Sequence, residues 1–121
     1  MTGSTATSES AFRSWDVVVV PFPYSERLAE KRRPALVVSS AKLHRNGFLW
    51  LAMITGAGKD QRDGDIELED LAAAGLPGAS MVRASKIATA EPARIVRRIG
   101  SVATPERKAI AAAIAGFLAK A

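Results

Sequence analysis

Short apolar runs separated by polar segments make up the first half of the chain. Residues 16–24 hold four consecutive valines and predict a strand, because β-branched residues favour extended backbone and the run is too short for a helix. Pro21 and Pro23 lack backbone donors, so this strand must end or lie at a sheet edge there. Residues 34–40 and 48–55 predict two further strands, the second of them continuously apolar, as in a strand buried on both faces.

The polar segments between these runs predict loops. Residues 25–33 are charged and predict a mobile loop, and residues 41–47 predict a turn because they end in an Asn-Gly pair. His44 is the only histidine and lies in that turn, where a solvated side chain is expected rather than a catalytic one. Residues 56–65 are rich in glycine and charge and predict a third loop.

Shorter elements follow in the second half. Residues 65–69 alternate between polar and apolar side chains and predict a half-exposed strand. Residues 70–78 predict a short helical turn that Gly75 closes. Residues 79–90 predict one or two short strands, and residues 93–102 predict one more.

The last predicted element is a helix. Thr104 is a favourable N-cap, and Pro105 suits the first helical position. Apolar residues then recur at helical spacing, at Ile110, Ile114, Phe117 and Leu118. About six short strands and one terminal helix predict a mainly β fold with α-helix, an α+β domain built as a small, curved antiparallel barrel.

The length of 121 residues suits one small domain. Residues 1–13 offer little to bury and predict a flexible N-terminal lead-in before a single domain over residues 14–121. No apolar run approaches the ~18 residues that a membrane span needs, and no secretory signal pattern is present. The lack of cysteine excludes disulfides, thiol nucleophiles and thiolate metal sites, so a soluble cytoplasmic protein is expected.

The charge is distributed unevenly along the chain. The net charge is +5, but residues 60–70 hold six acidic residues against one arginine, so the rest carries +10. Such a basic body favours a polyanionic partner such as nucleic acid, although a basic protein without that partner is an open alternative. Carboxylates in residues 60–70 suggest either a metal site or a solvated strand face, and alternation with apolar residues favours the solvated face. No metal and no cofactor are therefore expected.

Arg33 and Thr55 are the candidates for chemistry on a phosphate. Arg33 precedes Pro34, which restricts its backbone to extended geometry, and Thr55 ends the apolar strand. A guanidinium can bind a phosphate through two hydrogen bonds, and a threonine hydroxyl can donate to a phosphoryl oxygen. From the residues alone, a surface arginine and a strand-ending threonine remain an open alternative.

Three stretches of the chain are informative when taken together: VVVVPFPYSERLAEKRRPALVVSS, LAMITGAG and GLPGASMVRASKIATAEPARIVRRIGSV. In this order and spacing they resemble the MazF/PemK (Kid) family of toxins from bacterial toxin–antitoxin pairs, and the likeness extends from about Trp15 to the C-terminus. The resemblance implies an SH3-like or CcdB-like barrel with a C-terminal helix, acting as a homodimer. It also implies a metal-free, ribosome-independent endoribonuclease that cuts mRNA at short sequences and is neutralised by a cognate antitoxin.

The resemblance also implies roles for individual residues. Arg33 and Thr55 match the two residues most often assigned to catalysis, and Arg83 matches an arginine used near the scissile phosphate. Ser85 stands where some members carry an acid, and Glu26 only weakly matches an acid of the first loop. The expected RNA-binding residues are Lys31, Arg32, Lys59, Arg62, Arg83 and Lys86.

The expected reaction is attack of an RNA 2′-hydroxyl on the adjacent phosphorus, which leaves a 2′,3′-cyclic phosphate. Two alternatives stay open. One is a module of the same fold that binds nucleic acid or protein without chemistry, and the other is a toxin of this fold that acts on DNA gyrase.

Overall fold

Six antiparallel strands form one sheet in the computed structural model, which describes residues 12–22, 31–58 and 60–121. The strands are β1 (Asp16–Phe22), β2 (Lys31–Val37), β3 (Leu49–Gly56), β4 (Asp65–Glu67), β5 (Ser80–Ala90) and β6 (Arg97–Ser101). Their order across the sheet is β4-β5-β3-β2-β1-β6. The described helices are α1 (Ala41–Arg45), α2 (Leu71–Ala74), a 3₁₀ turn at Pro92–Arg94 and α3 (Thr104–Phe117). The predicted α+β fold with a C-terminal helix is confirmed.

Buried apolar residues lie on both faces of the sheet, because successive residues of a strand point to opposite faces. Val17 and Leu36 belong to a cluster on one face, where Ile110 of α3 is also fully buried. Val18 belongs to the cluster on the other face. Phe12 packs against this second cluster, whereas residues 1–11 of the predicted lead-in lie outside the described residues.

The predicted turn at residues 41–47 begins with helix α1, and the expectation of a solvated His44 is wrong. His44 is only 7% exposed. Its Nε2 atom lies 2.8 Å from the Oγ atom of Ser39, and the backbone N–H of Trp50 donates to the same Oγ at 3.0 Å. An imidazole can be buried even in a polar segment when another group forms a hydrogen bond with its ring nitrogen.

The prediction that residues 48–55 are buried on both faces is wrong at the start of β3. Trp50 is 48% exposed, and Phe48, which precedes the strand, is 41% exposed. Helix α3 packs mainly against β4 and β5, so it does not cover this end of β3. The run is apolar throughout, and its hydropathy does not distinguish its covered residues from its exposed ones.

Element boundaries in β2 and α3 also differ from the sequence-based expectation. Lys31, Arg32 and Arg33 belong to β2 rather than to a loop, because they pair with β1. Ala103, not Thr104, is the N-cap of α3, and the helix ends at Phe117. The remainder of the predicted first loop, residues 25–30, lies outside the described residues.

Candidate functional site

Pairing between β2 and β3 ends before either strand ends. The last pair is Ala35 with Met53, whereas β2 begins at Lys31 and β3 continues to Gly56. The two strands are therefore unpaired with each other beyond this point, although each keeps its other neighbour. We call this unpaired ending the fork, and it is bordered by residues 31–34 of β2 and 54–56 of β3.

Pro34 explains where the pairing ends. Val38 donates its backbone N–H to the carbonyl of Trp50 in β3. Every second residue of a strand faces the same neighbour, so the backbone of Pro34 also faces β3. Proline has no N–H, so it cannot donate to Ile54, the residue that would oppose it. The ladder therefore ends one residue earlier.

Arg33 and Thr55 lie on the same face of the sheet at the fork. Each lies two residues beyond the pair Ala35–Met53, and a step of two residues returns a side chain to the same face. Paired strands lie about 4.8 Å apart, so the two backbones start from neighbouring positions. Both residues are half-buried, and the Nε atom of Arg33 is buried. The two side chains therefore begin on the same face of the sheet, at positions that border the fork.

Arg83 lies on the same face, one strand further across. It pairs with Met53 of β3 and with Asp65 of β4. Because Thr55 is two residues from Met53, Arg83 is a diagonal neighbour of Thr55, about 7–8 Å away by backbone position. Its guanidinium is bound on the side of β4, where Asp65 lies.

Asp65 binds Arg83 through both carboxylate oxygens. The Nε of Arg83 donates to Oδ1 at 3.0 Å and its Nη2 donates to Oδ2 at 2.9 Å. The side chain of Asp65 is 0% exposed and that of Arg83 is 12% exposed. The hydrogen bonds from Arg83 hold the pKa of Asp65 below its usual value, although burial acts in the opposite direction. Asp65 in turn raises the pKa of Arg83, so both groups stay charged.

The prediction that the acidic residues of strand 65–69 face solvent is therefore wrong for Asp65. It holds for Glu67 and Glu69, which are exposed. Alternation with Ile66 predicts which residues share a face, but it does not show that a neighbouring strand supplies an arginine to that face. A basic residue such as Arg83 in a nearby predicted strand is the only sequence signal for such a partner.

A bulge in β5 lies beside Arg83. Ala52 and Met53 are adjacent in β3, but their partners in β5 are Ile87 and Arg83. The residues between those partners form the bulge: Ala84, Ser85 and Lys86. Ser85 and Lys86 are exposed, as is typical where a bulge redirects side chains.

The other predicted RNA-binding residues have different surroundings. Lys31 and Arg32 are exposed on β2 at the fork, and Arg62 is exposed in the loop before β4. Lys59 and Glu26 lie outside the described residues. The site assignments made from the sequence stay predictions.

The described residues contain no group of three or more His, Asp or Glu side chains arranged to hold a metal ion. Asp65, the buried acid of the acidic run, is bound to Arg83. Within residues 12–22, 31–58 and 60–121, no helix is long and apolar enough to cross a membrane.

Solved structures share this fold at low sequence identity. The toxin MazF-mt6 of Mycobacterium tuberculosis superposes with a TM-score of 0.67 at 19% identity, covering 84% of this chain and 93% of that one. MazF from Deinococcus radiodurans superposes with a TM-score of 0.68 at 18% identity, over 88% and 94% of the two chains. A mycobacterial endoribonuclease in complex with its cognate antitoxin superposes with a TM-score of 0.71 at 17% identity, over 90% and 99%.

The sequence itself matches a family model. No match was found among curated proteins. The model of the PemK-like, MazF-like toxin of type II toxin–antitoxin systems matches residues 13–118, which span all six strands and α3. This chain therefore belongs to the PemK-like, MazF-like family of toxins of type II toxin–antitoxin systems.

Proposed function

We propose that this chain is a metal-independent endoribonuclease that cleaves single-stranded RNA at short sequences. The observation that carries the proposal is the position of Arg33 and Thr55 on one face of the sheet, on adjacent strands at the fork. Proteins described as endoribonucleases share this fold, and one of them is bound to its cognate antitoxin.

The reaction uses the nucleophile that RNA itself carries. The 2′-hydroxyl oxygen attacks the adjacent phosphorus and forms the new O–P bond, while the bond from phosphorus to the 5′-oxygen breaks. The 2′-hydroxyl loses a proton and the departing 5′-oxygen gains one. The products are a 2′,3′-cyclic phosphate and a 5′-hydroxyl, so neither a protein nucleophile nor a metal ion is needed.

Arg33 and Thr55 supply stabilisation of the phosphorane. A guanidinium stays protonated in proteins and presents a planar pair of donors that fits two phosphate oxygens. The hydroxyl of Thr55 donates to a non-bridging oxygen, on which negative charge grows in the transition state. Donors fixed in this way typically contribute about 10²–10³-fold each to the rate.

His44 does not contribute to this site. Its imidazole is bonded to Ser39, next to the backbone N–H of Trp50. Trp50 and Thr55 are five residues apart in β3, a distance of about 17 Å along an extended strand. Proton transfer by His44 at the fork is therefore excluded by distance as well as by burial.

The proposal includes the partners that this activity needs. Exposed Lys31 and Arg32 at the fork provide positive charge for single-stranded RNA. The same charge suits an acidic antitoxin segment, which would block access to Arg33 and Thr55. We also propose that the active assembly is a homodimer, and sedimentation of the purified protein would measure its oligomeric state.

The test is cleavage of a long unstructured RNA transcript by purified protein in EDTA. We expect cleavage with 2′,3′-cyclic phosphate ends, detected by mass spectrometry of the fragments. Arg33→Ala and Thr55→Val should each lower the rate by about 10²-fold or more. Arg45→Ala removes the same charge from an exposed position on α1 and should leave the rate within about twofold.

Four outcomes contradict the proposal. Cleavage that requires added magnesium contradicts the mechanism, and an active Arg33→Ala variant contradicts the site. RNA binding without cleavage would favour the binding module instead. Inhibition of DNA gyrase without RNA cleavage would favour the gyrase-directed toxin.

A further inference from the structure

Asp65 connects Arg83 to the loop that leads from β3 to β4. Besides the two bonds from Arg83, its Oδ2 accepts the backbone N–H of Arg62 at 2.8 Å. The N–H of Asp65 donates back to the carbonyl of Arg62 at 3.0 Å, which closes a tight turn. The Nη2 of Arg83 also donates to the carbonyl of Asp60 at 2.7 Å. The carboxylate of Asp65 thus fixes the side chain of Arg83 and the turn at Arg62, and Arg83 in turn binds the start of this segment at Asp60.

This loop begins close to the fork. β3 ends at Gly56, directly after Thr55, and the fixed segment starts at Asp60. Gly64 lies under the ring of Phe117, where an added Cβ would overlap the ring. The segment is therefore held from two sides, by Arg83 and by the C-terminal end of α3.

The three bonds made by Arg83 use its Nε and Nη2 hydrogens. They leave the two hydrogens on Nη1 for an acceptor outside the bonds to Asp65 and Asp60. Because Asp65 balances the charge of Arg83, the guanidinium offers directed hydrogen bonds more than free positive charge. A phosphate oxygen beside Thr55 is an acceptor of the right kind, since Arg83 is the diagonal neighbour of Thr55.

We propose that Asp65 is a positioning residue for RNA cleavage, which orients Arg83 and the loop of residues 60–64 beside Thr55. This inference rests on the proposed endoribonuclease function. Asp65 touches no substrate and acts through Arg83. Displacement of an aligned group by about 1 Å can cost about 10²-fold in rate, so loss of this orientation should affect kcat more than KM.

The test compares Asp65→Asn with Glu67→Gln. Both substitutions replace one acid of β4 with its amide, but Glu67 is exposed. We expect Asp65→Asn to lower kcat by about tenfold or more with KM changed by less than about threefold. Glu67→Gln should stay within about twofold in kcat. The two variants are compared at a temperature where circular dichroism shows both to be folded.

A double-mutant cycle separates positioning from a general structural role. In an Arg83→Gln background, Asp65→Asn should cause no further loss of kcat, because the group through which it acts is already absent. Equal losses in the two backgrounds would overturn the proposal, as would full activity of Asp65→Asn.

The ordering of Arg83 is also measured without RNA, by NMR of its Nε–H group. A slowly exchanging Nε–H signal is expected in the natural chain and in Glu67→Gln, and its loss is expected in Asp65→Asn. An unchanged signal in Asp65→Asn would overturn the inference even if no RNA is cleaved. Absence of cleavage by the natural chain, with the expected NMR result, contradicts the endoribonuclease function alone.

Discussion

The Oγ atom of Ser39 and the Nε2 atom of His44 lie 2.8 Å apart in the interior of the protein. Ser39 Oγ already accepts the backbone N–H of Trp50. The serine hydroxyl and the imidazole can each donate in this bond, depending on which ring nitrogen carries the proton. This bond joins the segment after β2 to helix α1, and the N–H of Trp50 connects the same hydroxyl to β3.

We expect the stability of the protein to fall as the pH drops below 6.5. Burial lowers the pKa of His44 from 6.5, although a hydrogen bond to the backbone of Ser39 and the charge of the nearby Asp16 act in the opposite direction. Between the folded and unfolded pKa values the unfolded chain binds more protons, so acid favours unfolding. The free energy of unfolding, measured by urea denaturation at pH 7.5 and pH 5, should therefore decrease.

His44→Gln should flatten this pH dependence, because an amide does not titrate. Lys42→Gln, an exposed change on the same helix, should keep it. This pH range is separate from the one in which Asp65 titrates. Because the pKa of Asp65 is lowered from 3.8 in the folded protein, its contribution to the free energy of unfolding is lost only below pH 3.8. An unchanged slope in His44→Gln would assign the acid sensitivity to other groups.

The strands and the terminal helix could be predicted because each leaves a local pattern. The valines of β1 and the helical spacing of Ile110 and Ile114 in α3 are examples, since short-range sterics and apolar periodicity fix them. The burial of His44 and Asp65 could not be predicted. Each is stabilised by a partner that tertiary structure supplies, and periodicity carries no information about partners.

The candidate site was partly accessible from the sequence. The motif around Arg33 and the predicted strand that ended at Thr55 identified the two residues as candidates. That they share a face of the sheet depends on the register of β2 against β3. That register is a long-range property. The role of Pro34 in ending the pairing follows only once the register is known, because it decides which neighbour the missing N–H would face.

Pro34→Ala should extend the pairing of β2 with β3 and close the fork. Alanine restores an N–H facing Ile54, and one net hydrogen bond is worth about 0.5–1.5 kcal/mol. Loss of the proline's constraint on the unfolded chain costs about 0.4–1 kcal/mol, so stability should change little. RNA cleavage should fall by about tenfold or more because Arg33 and Thr55 are drawn together.

Amide hydrogen exchange reports on Pro34→Ala directly. The new amide at position 34 should be protected, and Pro77→Ala, a change in the exposed loop after α2, should leave cleavage unchanged. A new amide that exchanges as fast as a free one, together with normal cleavage, would show that proline does not keep the fork open.

Gly75→Ala should destabilise the fold by more than about 2 kcal/mol. Gly75 ends α2 with φ of 73° and lies against the backbone carbonyl of Ile99 in β6, which an added Cβ would overlap. Both the left-handed backbone and the contact oppose a side chain. Gly116→Ala is the matched control, since nothing lies within 4 Å of its added Cβ.

Gly116 is within α3, so its replacement by alanine should be neutral or stabilising by up to about 1 kcal/mol. Chemical denaturation of the two variants gives both free energies. A Gly75→Ala variant as stable as the natural chain would mean that α2 can move away from β6 without cost.

Lys31→Glu combined with Arg32→Glu should weaken the binding of RNA and of the antitoxin together. Both residues are exposed on β2 at the fork. Each phosphate contact to a single strand contributes about −0.7 to the slope of log affinity against log salt, so two lost contacts should flatten the slope by about 1.4. An acidic antitoxin segment that becomes ordered on the same surface should also bind more weakly, because it would lose the same two positively charged partners.

The matched control is Lys42→Glu with Arg45→Glu, which reverses two exposed charges on α1 and changes the net charge equally. The measurement is affinity for an uncleavable 2′-O-methyl RNA and for the cognate antitoxin, each over a range of salt concentrations. Equal weakening by both double variants would assign the effect to net charge. Weakened RNA binding with antitoxin affinity unchanged would show two separate surfaces, because a shared surface requires both ligands to respond to the same two residues.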